Sequence, residues 1–234
     1  YTNGPYTIDL TPPQVNFSKQ SDSTPSQIHS VDISVADQLV EDAEVFVQWT
    51  EDAAFPEDES SGWQRLHEGP LPWEQTVQSP PSADGSLYLH VKALDGLGNI
   101  ARVSTTGSFV LDNTPPDVRF IPNGNNGIYA QSADVQLQID GVATGLTEYQ
   151  IAYVISLEAT IDETSADWLT TPDGSLSISG RSGEYYVHVL VTDEAGNQML
   201  AASEPFAVDH LPPTGSVNFV EPYTNETDVL VELM

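Results

Sequence analysis

The feature that most limits how this chain folds is that much of it is written twice. Leu87-Tyr88-Leu89-His90-Val91-Lys92-Ala93-Leu94-Asp95-Gly96-Leu97-Gly98-Asn99 aligns without a gap to Tyr185-Tyr186-Val187-His188-Val189-Leu190-Val191-Thr192-Asp193-Glu194-Ala195-Gly196-Asn197, an offset of 98 residues (87 to 185). A shorter motif occurs three times, each behind a short apolar run: Asp9-Leu10-Thr11-Pro12-Pro13, Asp112-Asn113-Thr114-Pro115-Pro116 and Asp209-His210-Leu211-Pro212-Pro213. Its copies lie 103 (12 to 115) and 97 (115 to 212) residues apart. Solenoid units recur every ~20–50 residues, so these repeats are whole domains.

Within each copy the pattern alternates. Val31-Asp32-Ile33-Ser34-Val35 and Val135-Gln136-Leu137-Gln138-Ile139 place apolar residues at every second position, the period of a half-buried strand. Leu87, Leu89, Val91 and Ala93 share one face of a strand, with Tyr88, His90 and Lys92 on the other; Tyr185, Val187, Val189 and Val191 are the matching inward set. Asp84-Gly85-Ser86, Asp173-Gly174-Ser175 and the Gly-Asn pairs supply turns. No stretch sustains a helical period. Apolar residues make up 39% of the chain, enough for a core, and no apolar run is long enough to cross a membrane. There is no cysteine, which removes disulfides, thiolate catalysis and zinc–thiolate sites together. Short strands at this density predict an all-β chain of antiparallel β-sandwiches. The boundaries read as 10–112 and 113–209, with 1–9 the last strand of a preceding repeat and 210–234 the first strands of a following one. Trp63 precedes Tyr88 by 25 residues and Trp168 precedes Tyr186 by 18, so the first copy has extra residues around Leu71-Pro72-Trp73 and Ser79-Pro80-Pro81, read as a surface loop.

The [Leu/Tyr]-Tyr-x-His-Val-x-[Ala/Val]-x-Asp-x-x-Gly-Asn strand and hairpin, followed by Asp-x-Thr-Pro-Pro, resembles bacterial immunoglobulin-like tandem repeats of surface-layer proteins, giant adhesins and cell-surface stalks. The resemblance covers both full repeats and the partial ones beyond. It implies tandem immunoglobulin-like antiparallel β-sandwiches arranged end to end, in an extracellular, cell-surface setting. The Asp-Asn-x-Pro-Pro linker is also similar to the calcium-binding linkers of cadherin repeats, with Leu10 and His210 standing where Asn113 does.

Thirty-five Asp and Glu face six Lys and Arg, a formal charge of -29. Binding to nucleic acid phosphates needs clustered Lys and Arg, so nucleic acid is excluded as a partner. Two explanations for the acidity stand side by side: a salty environment, or divalent cations that neutralise carboxylates converging at junctions.

No Gly-x-Ser-x-Gly elbow, His-Glu-x-x-His pair or Gly-rich phosphate loop occurs. His90 and His188 repeat at equivalent positions, which marks scaffold residues rather than a unique catalytic base, and no enzyme is expected. Each is expected on the outer face of the sheet, stacked on Tyr88 or Tyr186, whose hydroxyls would tie down a connection as a tyrosine corner. Trp63 and Trp168 are equivalent and read as packing residues; Trp73 is the one tryptophan placed to stand exposed against a sugar. The two lysines, Lys19 and Lys92, have no counterparts in the other copy, which disfavours an isopeptide crosslink. Asn16 and Asn225 head three-residue glycosylation patterns.

One constellation carries chemistry. In an immunoglobulin sandwich the linker lies at the end that holds the B–C and F–G loops. That places Asp112 and Asn113 beside Asp140, Asp193 and Asn197 in the second repeat, and Asp9 beside Asp37, Asp95 and Asn99 in the first. Carboxylate and amide oxygens from three segments suit calcium, which takes 6–8 oxygens in flexible geometry. The same residues also serve as turn formers that cap backbone amides with no ion. The expected role is a non-catalytic structural module, a rod, stalk or filament whose partners are neighbouring repeats of the same polypeptide or other copies. The alternatives are an adhesin binding a glycan or a surface protein, and a spacer within a large cell-surface hydrolase.

Overall fold

The computed structural model describes residues 8–141, 149–162, 164, 167–215, 217–219 and 231–233, the last two stretches as backbone alone. Most of the expected strand within 1–9, the glycosylation pattern at Asn225 and much of the expected strands within 210–234 therefore fall outside the described residues.

Nine strands lie between the first two double-proline motifs: β1 (Gln14–Phe17), β2 (Asp22–Ser26), β3 (Ser30–Ala36), β4 (Asp42–Thr50), β5 (Gln64–Pro70), β6 (Trp73–Gln78), β7 (Gly85–Asp95), β8 (Ile100–Ser104) and β9 (Phe109–Leu111). One sheet has the order β1-β3-β6; the other runs β2-β9-β7-β4-β5, with β8 also on β7. The chain thus crosses between the sheets from β1 to β4, keeps β5 beside β4 and β7 to β9 together, and returns to the first sheet at β6, the two-sheet division of an immunoglobulin-like sandwich. Among the described residues eight strands follow: β10 (Asp117–Ile121), β11 (Ser132–Asp140), β12 (Gln150–Ser156), β13 (Leu169–Thr170), β14 (Ser175–Ser179), β15 (Gly183–Thr192), β16 (Gln198–Ala202) and β17 (Phe206–Val208). They form β10-β11-β14 and β13-β12-β15-β16, with β17 on β15. A short antiparallel pair, β18 (Val217–Phe219) with β19 (Val231–Leu233), comes after the third motif. The chain is all-β, its described residues holding immunoglobulin-like sandwiches in tandem and no helix.

The period-2 residues build the core. Val31, Ile33 and Val35 of β3, Val45 and Val47 of β4, Leu89, Val91 and Ala93 of β7, and Phe109 of β9 form one cluster between the two sheets. Burying each branched side chain contributes about 1.5–3 kcal/mol. Val135, Leu137, Leu176, Ile178, Val187, Val189 and Phe206 are buried in the second copy. Tyr185, expected inside, is half-buried, with the Arg181 guanidinium 5.3 Å from its ring.

Three details depart from expectation. First, β2 pairs with β9 in parallel, and Ala130 bridges Val208 in parallel in the second copy. Second, the inserted residues of the first copy do not hang as a loop: they lengthen β5 to seven residues where β13 has two. Trp73 consequently packs against the core cluster and stacks on His67 at 5.1 Å instead of standing free. Third, the outer face of β7 is covered. Residues 51–63, between β4 and β5, fold over it: the Lys92 ammonium donates to the Asp58 carbonyl at 2.8 Å and sits 4.9 Å above the Trp63 ring.

Residue contacts group Tyr1–Val118, Ile139–Ile151 and Leu190–Leu200 into one compact unit, and Arg119–Gln138, Ala152–Val189 and Ala201–Met234 into a second. Asp112, Asp140, Asp193 and Asn197 therefore all belong to the unit that contains the first sandwich.

Candidate metal centre

The site forms where three segments of the first unit meet. Asp9 lies in the linker before β1, Asp37 follows β3, and Asp95 is the last residue of β7, opposite Ala43 on β4. One carboxylate oxygen from each lies within 4.8 Å of the other two. Local backbone chemistry orients them. Asp9 Oδ1 accepts the Thr11 amide at 2.9 Å and the Thr11 hydroxyl at 2.6 Å. Asp37 Oδ1 accepts the amides of Leu39 and Val40 at 2.8 and 3.1 Å. Asp95 Oδ1 accepts the amides of Leu97 and Asn99 at 2.9 and 2.8 Å. The hairpin that makes this possible turns through Gly98 at φ +89°, a conformation that only glycine adopts cheaply, and Gly196 at +90° repeats it.

Burial sharpens the arrangement. Asp9 is 8% exposed and Asp95 6%. Asp9 Oδ2 is buried with no hydrogen-bond partner among the described residues. Burial pushes the Asp95 carboxyl up, but the Asn99 side chain and the amides of Asn99, Leu97 and Gly98 outweigh it and hold the group below its ordinary value. Two such charges separated by about 5 Å repel by on the order of 3 kcal/mol at an effective dielectric of about 20. Nothing basic among the described residues is bonded to the triad.

Asn99 plays a different part from the one expected. Its Nδ2 donates to Asp95 Oδ2 at 2.7 Å and to the Asp9 carbonyl at 3.4 Å, so its amide nitrogen, not its oxygen, faces the acids.

The second set is wired otherwise. Asp112 is 3% exposed, Asp193 9% and Asn197 6%. Asn197 Nδ2 donates to Asp193 Oδ2 at 3.0 Å and to the Asp112 carbonyl at 3.1 Å, repeating Asn99. Its Oδ1, however, accepts from Gln27 Nε2 at 2.8 Å. Burial raises the Asp112 carboxyl above its ordinary value, and the charges of Asp193 and Asp84 add to this while the Thr114 amide opposes it. Asp140 is exposed and does not join Asp112 and Asp193 as Asp37 joins its pair. Asn113 turns away: its Nδ2 donates to the carbonyls of Gln27 and Ala83 at 3.1 and 2.7 Å.

The remaining candidates are absorbed by structure. His90 is fully buried; Nδ1 pairs with the Ser104 hydroxyl at 2.7 Å, and Nε2 reaches the Thr50 hydroxyl at 2.8 Å and the Asp52 carbonyl at 3.1 Å. Phe55, not Tyr88, packs edge-on against its ring at 5.8 Å. Burial holds His90 below its ordinary value, against the opposing Asp52 carbonyl and charge. His188 repeats the pattern, with Nε2 2.9 Å from the Glu158 carbonyl and Tyr186 tilted at 6.4 Å. Neither Tyr88 nor Tyr186 has a hydroxyl partner among the described residues, so the tyrosine-corner reading does not hold. Its work falls to hydroxyls one turn away. Leu89 exchanges bonds with the Thr105 backbone and Oγ1, and Val187 does the same with Ser203, 98 residues on (105 to 203).

No protein-family model matches the chain, and no curated protein matches it. Among solved structures it is similar to the fibronectin(III)-like modules of Clostridium thermocellum CbhA, at 11% identity over 83% of this chain and 94% of that one, with a TM-score of 0.32. A 1.5-MDa bacterial ice-binding adhesin gives 15% identity, 89% and 69% coverage and a TM-score of 0.39. The FN1-FN3 domains of chicken CNTN1 give 14%, 82% and 68%, with a TM-score of 0.27. At these identities and TM-scores the likenesses carry no argument about what this chain does.

Proposed function

We propose that the chain is a non-catalytic structural segment of an extracellular, cell-surface protein, in which repeats 10–112 and 113–209 follow one another within a rod, stalk or filament. One observation carries the reading: the residues that would do chemistry are duplicated and spent on scaffold bonds. Both strand histidines are buried against loop carbonyls, both hairpin asparagines hold an aspartate, and Thr105 and Ser203 brace equivalent strands, β7 and β15. The linkers support it. Pro-Pro removes two donors and fixes φ near -65°, while Asn113 is tethered to carbonyls of the preceding sandwich. The high negative charge supports an extended, self-repelling surface. With Trp73 packed on the core, the tryptophan most suited to a sugar is committed elsewhere.

Small-angle scattering of the whole chain tests this. A compact globule of this length has a radius of gyration of about 17 Å. Two sandwiches in line give a clearly larger value, nearly independent of salt. A value at the compact limit would overturn the rod.

A further inference from the structure

We infer that Asp9, Asp37 and Asp95 form a calcium site that joins the entry linker to the two loops at one end of the first sandwich. Three observations meet there. The first is convergence: oxygens bound to one ion at about 2.4 Å lie no more than about 4.8 Å apart, and the three carboxylates satisfy that limit. The second is Asp9 Oδ2, an acceptor on a side chain more than nine-tenths buried, unpartnered while Oδ1 of the same group takes two donors. A buried carboxylate oxygen is not left bare without compensation, and a cation supplies it. The third is the donor set. All three ligands are carboxylates, with no nitrogen or sulfur, which favours a hard cation over zinc. Magnesium, with bonds of 2.0–2.1 Å and a strict octahedron, is the poorer fit to a half-open site. Asp37 is half-buried, leaving room for water on the remaining positions.

Asn99 is a positioning residue, not a ligand. Its Nδ2 holds Asp95 Oδ2 and the Asp9 carbonyl, so it fixes two of the three acids in place, as outer-shell partners of metal ligands do. The second junction makes the contrast. There Asn197 accepts directly from Gln27, and no third acid among the described residues comes within ligand distance of both Asp112 and Asp193. Among the described residues, the three-carboxylate site therefore lies on the first set alone.

Isothermal titration of calcium chloride into the whole chelator-stripped chain, in 150 mM salt, tests the assignment. The expected result is one saturable site per chain with a dissociation constant below about 1 mM, the range of extracellular modules, and a melting temperature higher in calcium than in chelator. Asp37→Asn keeps the amide-accepting oxygen and should weaken binding at least tenfold with unchanged calcium-free stability. Asp193→Asn should leave the binding event intact. Asn99→Asp separates the roles: a ligand would bind calcium more tightly with the added charge, whereas a positioning donor, once lost, weakens binding. No saturable heat with a melting curve indifferent to chelator would overturn the site. So would undiminished binding in Asp37→Asn, or a loss in Asp193→Asn equal to that in Asp37→Asn. Tighter binding by Asn99→Asp would overturn the positioning role.

Discussion

Replacing His90 with Gln should remove a distinct segment from the pH dependence of stability. Burial sets the His90 pKa below its ordinary 6.5. Above that pH neither the folded nor the unfolded chain holds the extra proton, and the histidine's contribution is complete. Below it the unfolded chain takes up a proton that the native site refuses, so stability falls as pH drops toward the folded pKa. The slope approaches about 1.4 kcal/mol per pH unit for one proton. The site makes the refusal concrete: Nε2 faces the Thr50 hydroxyl and the Asp52 carbonyl, Nδ1 faces Ser104, and the Phe55 ring closes the side. Lys92, two residues on, lies under the same covering segment, bonded to Asp58. Gln at position 90 satisfies only some of these contacts, so a loss of about 1–3 kcal/mol is expected at pH 7.5. The assay is urea unfolding followed by tryptophan fluorescence at pH 7.5, 6.5, 6.0 and 5.5, above the range where most carboxylates titrate. Trp49, Trp63 and Trp73 all report on the first copy. The parent should lose stability across that window more steeply than His90→Gln. Parallel pH profiles for the two proteins would refute the reasoning.

Thr105→Val and Ser203→Ala should each destabilise by about 1–3 kcal/mol in thermal or urea melts, because each strands a buried strand amide. Tyr88→Phe and Tyr186→Phe should be neutral within about 0.5 kcal/mol, as neither hydroxyl is bonded among the described residues; a loss above about 1 kcal/mol in either would restore the corner. Asn113→Ala removes two bonds to preceding carbonyls and should cost about 1–2 kcal/mol. It should also speed protease cleavage at the linker, and unchanged cleavage would count against the tether.

The sandwich was legible because burial on one face leaves a period-2 trace: Val31, Ile33 and Val35 alternate in sequence and are all fully buried. The convergence of Asp9, Asp37 and Asp95 was legible for a related reason, since strand order alone decides which loops share an end of an immunoglobulin sandwich. What alternation does not encode is a cover. His90 and Lys92 occupy outward positions, and only the aperiodic 51–63 segment, drawn across them by Asp58 and Phe55, puts them inside. Atom choice was equally hidden. Asn99 and Asn113 both offer an oxygen on paper, and only the direction of their amides shows that both donate. Gln27 could not be read as a partner of Asn197, because 170 residues separate them and no pattern links the pair.

The parallel pairing of β2 with β9 decides how the first sandwich meets mechanical load. Tension along the chain draws the β2 end backward and the β9 end forward. Strands lying side by side in the same direction then slide lengthwise, so the bonds from Asp22 to Ser108, Gly107 to Gln20 and Asp112 to Ser26 are strained together. An antiparallel pair at that position would open bond by bond, like a zip. Ala130, bonded to Ala207 and Asp209, gives the second copy the same shear geometry in shorter form. Each repeat thus fastens its exit strand through a lengthwise clamp to a segment that follows its first strand, and a pull on that exit strand meets the clamp in shear.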